Sequence, residues 1–177
     1  AWFSEGLATY YQNLMQARSG ILSERQMWQK LCDGFLRGRA DQRFDGKPLQ
    51  AVSDGMRKNG GFMRVYWSGA WYFLAADTRL RQQSGGRHSL DIALEKLNRC
   101  CRDERLSVPE MVARLDQLNG VVLFQPLYEE LRSSTRLPPF EPIFDRLGVS
   151  TEDGVVQLHS DGPGARLRRQ LVTGTAL

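Results

Sequence analysis

Residues 62–80 read Phe-Met-Arg-Val-Tyr-Trp-Ser-Gly-Ala-Trp-Tyr-Phe-Leu-Ala-Ala-Asp-Thr-Arg-Leu. Met63, Val65, Tyr66, Trp67, Ala70, Trp71, Phe73, Leu74, Ala75 and Ala76 leave no polar face before Asp77. A helix that is apolar all round must be buried, so this segment is expected to form the central helix of the chain. Polarity returns at Asp77, Arg79, Arg81, Gln82 and Gln83, and Ser84-Gly85-Gly86 stops the run.

The flanking segments carry helical punctuation of their own. Leu7, Tyr10, Tyr11 and Leu14 recur at three-and-four spacing, which predicts a helix from about Ser4 to Arg18. Ser23 with Gln26 and Ser107 with Glu110 read as capping boxes, the second with a proline in the first turn. Ser89 caps a helix through Leu90, Ala93, Leu94 and Leu97. The polar, glycine-broken stretch 39–61 reads as a surface loop with a short helix from Leu49 to Met56. Further helices are expected from about Leu123 to Arg132 and from Phe140 to Leu147, the latter ended by Gly148. Val155 to Leu158 reads as a short strand, Asp161 to Gly164 as a turn, and Arg166, Arg168 and Arg169 as a solvated basic cluster before a loose end. The expected architecture is a mainly α helical bundle over residues 1–148. Residues 149–177 form a tail with a possible short β-hairpin.

Composition excludes several classes. Hydrophobic residues are 41% of 177, enough for a packed core, and no apolar run approaches a membrane span of roughly 20 residues. A net charge of +4 is too diffuse to argue for nucleic acid. The three cysteines rule out a disulfide framework. Cys100 and Cys101, being adjacent, read as separate thiols. Free thiols slightly favour a reducing cytoplasm, with the periplasm as the alternative if a leader has been removed. His88 and His159 are far apart, with no HExxH and no CxxC, so the chain cannot build an ordinary zinc site alone.

Three constellations carry chemistry. Alone, Glu5 is a first-turn acid favoured by the helix dipole, and Tyr66 is a core residue of an apolar helix. Together with their neighbours they say more. Trp2-Phe3-Ser4-Glu5-Gly6-Leu7-Ala8-Thr9-Tyr10 resembles the W-x-x-E-G-x-A-x-Y segment of gluzincin zinc peptidases. Tyr66-Trp67-Ser68-Gly69 resembles their Y-x-x-G, with Ser68 where Lys is common. The run from Asp77 through Arg81, Ser84, Gly85, Gly86 and Ser89 to Asp91 resembles the L-D-x-x-I-R-x-x-T-x-G-x-x-S-L-D-D run of the glycyl-aminopeptidase family, whose members often carry a PDZ domain. Phe124, Tyr128, Leu137-Pro138 and Leu147-Gly148 are similar to that family's closing helices, so the resemblance covers roughly residues 2–148. The related aminopeptidase N family shares the first two segments.

The resemblance implies the helical C-terminal subdomain of a thermolysin-like catalytic domain. It implies that Glu5 is the third zinc ligand beside two His of an upstream HExxH helix. Such a His₂Glu set leaves one position for a water whose pKa falls towards neutrality. It implies that the Tyr66 hydroxyl donates to the oxyanion, that Gly6 lets the next helix pack closely, and that Trp2 and Phe3 wall the site. On this reading Trp2 and Phe3 were covered by a missing N-terminal part of the same chain. The substrate is a peptide with a free N-terminus, zinc belongs to the full-length protein, and the fragment alone binds zinc weakly and hydrolyses nothing. The other reading is a non-catalytic all-helical interaction domain from a degenerate peptidase, docking through an exposed Trp2–Phe3 end. Neither reading calls for nucleic acid or membrane.

Overall fold

The central helix is α4 (Phe62–Ser84), and the other elements are arranged around it in a computed structural model that describes residues 1–174. From Val65 to Leu80 nearly every position is buried, as the uninterrupted apolarity requires. Among the described residues the order is α1 (Trp2–Arg18), α2 (Glu24–Ala40), a 3-10 turn (Gln42–Phe44), α3 (Leu49–Asn59), α4, α5 (Leu90–Cys101), α6 (Val108–Asn119), α7 (Phe124–Ser133), α8 (Glu141–Arg146), β1 (Val149–Glu152), β2 (Val155–Leu158) and α9 (Gly162–Thr173). The fold is mainly α, a helical bundle with one two-stranded antiparallel hairpin in which Val149 pairs with Leu158 and Glu152 with Val155. No helix of the described residues is long and apolar enough to cross a membrane.

Local signals set the boundaries. Both capping boxes form: Ser23 accepts from the Gln26 N–H at 3.2 Å, and the Glu110 carboxylate accepts from the Ser107 N–H at 2.8 Å. Ser89 caps α5 by accepting from Ile92. Asp116 reaches across the next turn and accepts from the N–H groups of Leu123, Phe124 and Gln125 at 2.8–2.9 Å, so a side chain from α6 caps α7. α2 runs through Gly34 and Gly38 to Ala40. A Cβ on Gly34 would overlap the Trp67 indole, and one on Gly38 would lie 2.8 Å from the Trp67 Cβ. These glycines admit a large ring from α4.

The expected uncovered end is instead core. Trp2 is 1% and Phe3 7% exposed. Trp2 stacks on Tyr128 at 5.3 Å between centroids and meets Tyr72 edge-on, while Phe3 packs on Phe73 at 4.9 Å. The Trp2 backbone N–H donates to Ser53 Oγ and its indole N–H to Gln50 Oε1. So α3, α4 and α7 of this chain cover the pair. No exposed docking surface remains there.

The last segment is helical as α9 from Gly162 to Thr173, and the end expected to be loose lies partly in residues 175–177, outside the described residues. Arg168 in α9 is 3% exposed, in contrast to the expected solvated cluster, whereas Arg166 and Arg169 are exposed. Its guanidinium donates to the carbonyls of Leu147, Gly148 and His159 at 2.7–3.0 Å and pairs with Glu24 at 2.6 Å. One side chain thereby ties α2, the end of α8 and the hairpin to α9. Arg168→Ala is expected to cost about 3 kcal/mol, because a half-buried carboxylate and three carbonyls lose their donor together. The urea midpoint of the variant, set against Arg169→Ala, measures it; equal midpoints would refute the tie.

Cys100 and Cys101 differ from expectation too. They form a vicinal disulfide at the end of α5, and the free cysteine among the described residues is Cys32. Burial pushes the Cys32 thiol up to about 11, with Asp33 adding to the effect, so it stays protonated at neutral pH.

Candidate functional site

Two glycines decide where the candidate residues sit. α1 crosses α4 at Gly6 and Gly69, with backbone against backbone. A Cβ on Gly6 would fall on the Gly69 Cα, and a Cβ on Gly69 would fall on the Trp2 carbonyl oxygen. Gly6 belongs to the E-G segment and Gly69 to the Y-x-x-G segment, so the two motifs read separately from sequence meet at one crossing. Glu5 precedes the first glycine, and Tyr66 lies one turn before the second. The close packing expected of Gly6 is present, and its partner is the other motif glycine.

Glu5 is half-buried near the start of α1, where the helix dipole favours a carboxylate. Its carboxylate makes no hydrogen bond or ion pair among the described residues. Its carbonyl accepts from the Thr9 hydroxyl at 2.7 Å. Thr9 lies one turn further along the same face of α1 and lines a groove with Tyr66.

Tyr66 is half-buried, not enclosed in the core. Its ring meets Phe62 edge-on at 6.3 Å, and its hydroxyl is without a hydrogen-bond partner among the described residues. Tyr72 on the same helix is the contrast. It is fully buried, its hydroxyl donates to the Phe124 carbonyl at 2.8 Å, and burial pushes its pKa well above the ordinary tyrosine value. Ser68, where the resemblance leads to an expected Lys, is fully buried, with an unpartnered hydroxyl among the described residues. A lysine there would bury an ammonium, which an interior disfavours strongly.

The third motif resolves into an internal network. Asp77 and Arg81 are each 1% exposed and lie 2.9 Å apart. Asp77 also accepts from the Tyr10 hydroxyl at 2.8 Å and from the Leu90 N–H at 2.9 Å. Asp91 accepts from the Tyr11 hydroxyl at 2.8 Å and from both terminal nitrogens of Arg18, with Arg81 at 3.7 Å. Ser84 accepts from the His88 N–H at 2.7 Å and donates to Leu80, which shapes the turn into α5. The motif therefore fastens α4 and α5 to α1, and none of these groups is left over for a ligand.

A groove of about 490 Å³ runs where α1, α2 and α4 meet. Thr9, Gln12 and Asn13 line it from α1, Lys30, Asp33 and Arg37 from α2, and Met63, Tyr66 and Trp67 from α4. The α2 residues are spaced three and four apart, hence on one helical face. Sequence reading missed them, although that spacing on the polar side of α2 was the available signal. Trp67, read as core, is 7% exposed yet presents an edge to this groove.

Zinc, which the resemblance implies, would find in Glu5 one carboxylate donor here. Among the described residues no three His, Cys, Asp or Glu side chains cluster closely enough to hold a metal ion. His159 bonds Ser150 on the hairpin, and His88 sits in the turn before α5. The free Glu5 carboxylate suits one position of a His₂Glu set, and this chain supplies neither histidine.

The model of the M61 glycyl aminopeptidase family matches residues 1–77, a stretch that contains Glu5, Gly6, Tyr66 and Gly69 and ends at Asp77. No curated protein and no solved structure matches the chain. Over its first 77 residues the chain is therefore similar to a peptidase family.

Proposed function

We propose that this chain is the helical part of a zinc-dependent metallopeptidase, an aminopeptidase, whose two histidine ligands and general base come from an HExxH segment that precedes Trp2 in a longer polypeptide. In that polypeptide Glu5 is the third metal ligand. The metal supplies Lewis-acid polarisation of the scissile carbonyl and a water acidic enough to serve at neutral pH. The chain's own contribution is positional. The Gly6–Gly69 crossing holds α1 and α4 at backbone contact, so the Glu5 carboxylate and the Tyr66 hydroxyl stand on fixed helices. Tyr66 donates from its hydroxyl to the oxyanion that develops on the carbonyl. Its unpartnered hydroxyl is free to do so without breaking a bond.

The meeting of the two motif glycines is the observation that carries this reading, with the family match across both motifs in support. The interaction-domain alternative loses its docking surface, because Trp2 and Phe3 are core.

The test is zinc content by elemental analysis after desalting, in the full-length gene product and its Glu5→Gln variant. The expected result is about one zinc in wild type and a clear loss in the variant, with similar thermal stability, since the Glu5 carboxylate has no partner among the described residues. Zinc absent from both proteins, or retained equally by both, would remove Glu5 from the metal. The 177-residue chain alone is expected to hold zinc weakly and to show no hydrolysis.

A further inference from the structure

We infer that the groove between α1, α2 and α4 binds a carboxylate of the peptide substrate through Lys30 and Arg37; this deepens the peptidase reading and rests on it. The groove is of the size of small-molecule clefts, which run from about 300 to 1,000 Å³. Both cations point into it without an acidic partner among the described residues. Lys30 donates only to the Gln16 amide oxygen, at 3.1 Å. Arg37 lies over the Trp67 ring, 5.6 Å from its centroid, which steadies the guanidinium without neutralising it. The lining acid, Asp33, accepts from the Gln29 amide at 2.8 Å and pairs with neither cation. Two cations against one acid leave the groove positive.

Asp33 also selects the kind of anion. It lies between Lys30 and Arg37 along the same helical face, so a bare inorganic anion held by both would face a carboxylate. A peptide sets an N–H or an ammonium against Asp33 while its own carboxylate meets the cations. Tyr66 in the same lining puts the carboxylate site beside the hydroxyl assigned to the reacting carbonyl. The groove thus favours short peptides, or peptides with an acidic residue close to the scissile bond.

The experiment titrates the metal-free 177-residue chain with tetra-alanine, its C-terminal amide, and the amide of Ala-Glu-Ala-Ala, following indole emission and amide chemical shifts. Tetra-alanine is expected to bind about tenfold more tightly than its amide, and Lys30→Gln or Arg37→Gln is expected to abolish the difference. Both variants change exposed side chains, so unchanged melting curves will show that the fold is intact. Recovery of affinity by the glutamate amide assigns the recognised group to an acidic side chain, and its failure to recover assigns it to the chain terminus; either upholds the site. Equal binding of acid and amide, a difference that survives both variants, equal competition by inorganic phosphate, or no binding at all would overturn it. These arms involve no metal, so their failure is distinct from a failure of Glu5 to hold zinc.

Discussion

Arg81→Met is expected to lower the folding free energy by about 3–5 kcal/mol, the usual consequence of removing one partner from a buried ion pair. The loss arises at Asp77, not at the new methionine. Asp77 is 1% exposed and keeps only the Tyr10 hydroxyl and the Leu90 N–H once the guanidinium has gone. Its charge is then buried without a counter-ion, with Asp91 close to the vacated space. The elements joined there are α1, α4, α5 and, through Arg18 donating to the Leu171 carbonyl, α9. Arg79→Met on the same helix is the control, because Arg79 is half-exposed and without a charge partner among the described residues; its effect should stay within about 0.5 kcal/mol. Urea denaturation of both variants measures the contrast. A positive coupling in the Asp77→Asn/Arg81→Met cycle would place the cost in the pair, and equal midpoints for Arg81→Met and Arg79→Met would defeat the argument.

The same network sets a pH window for stability. Burial pushes the Asp91 pKa up, but hydrogen bonds from Arg18 and Tyr11 and the charges of Arg18 and Arg81 outweigh it, so the net shift is downward. A carboxylate depressed in the native state stabilises above its unfolded value, about 3.9, and that contribution disappears as pH falls through the native value. Tyr10 and Tyr11 shift upward, through burial first and then through the carboxylates of Asp77 and Asp91 respectively. Their neutral hydroxyls stabilise below the unfolded value of about 10, and stability falls as pH rises beyond it. Melting temperatures should therefore form a plateau between about pH 4 and pH 10, with Tyr11→Phe softening the alkaline edge.

The fold was legible where local chemistry acts alone. The Ser23, Ser89 and Ser107 caps and the unbroken apolar run of α4 are each visible within a few residues and are realised as read. What was not legible depends on partners distant in sequence. Trp2 and Phe3 read as an open edge because Ser53, Tyr72 and Tyr128, which enclose them, are some 50 to 125 positions away. Arg168 read as solvated because nothing near it in sequence announces the carbonyls of Leu147 and Gly148. At the site, Glu5 and Tyr66 were suggested by their motifs. That Gly6 and Gly69 touch is a fact of helix packing that no local pattern encodes.

Tyr66→Phe separates chemistry from packing at that crossing. In a polypeptide that carries the HExxH segment, kcat is expected to fall about 10²–10³-fold, the usual cost of one lost oxyanion donor, with KM little changed. The substitution keeps the ring against Phe62 and in the groove lining. It deletes only a hydroxyl that bonds to nothing among the described residues, so the melting temperature should not move. Tyr72→Phe should behave in the opposite way. Its hydroxyl is spent on the Phe124 carbonyl inside the core, so its loss should cost about 1–3 kcal/mol of stability and leave kcat alone. Two tyrosines six positions apart on one helix thus form a matched pair, one expected to report on rate and the other on folding. If Tyr66→Phe retains kcat within about twofold, the developing charge is stabilised elsewhere, because a donor aimed at it cannot be removed at so small a cost. If both variants lose activity in proportion to stability, the Y-x-x-G segment serves the Gly6–Gly69 crossing alone, and the rate enhancement must come from groups outside these helices.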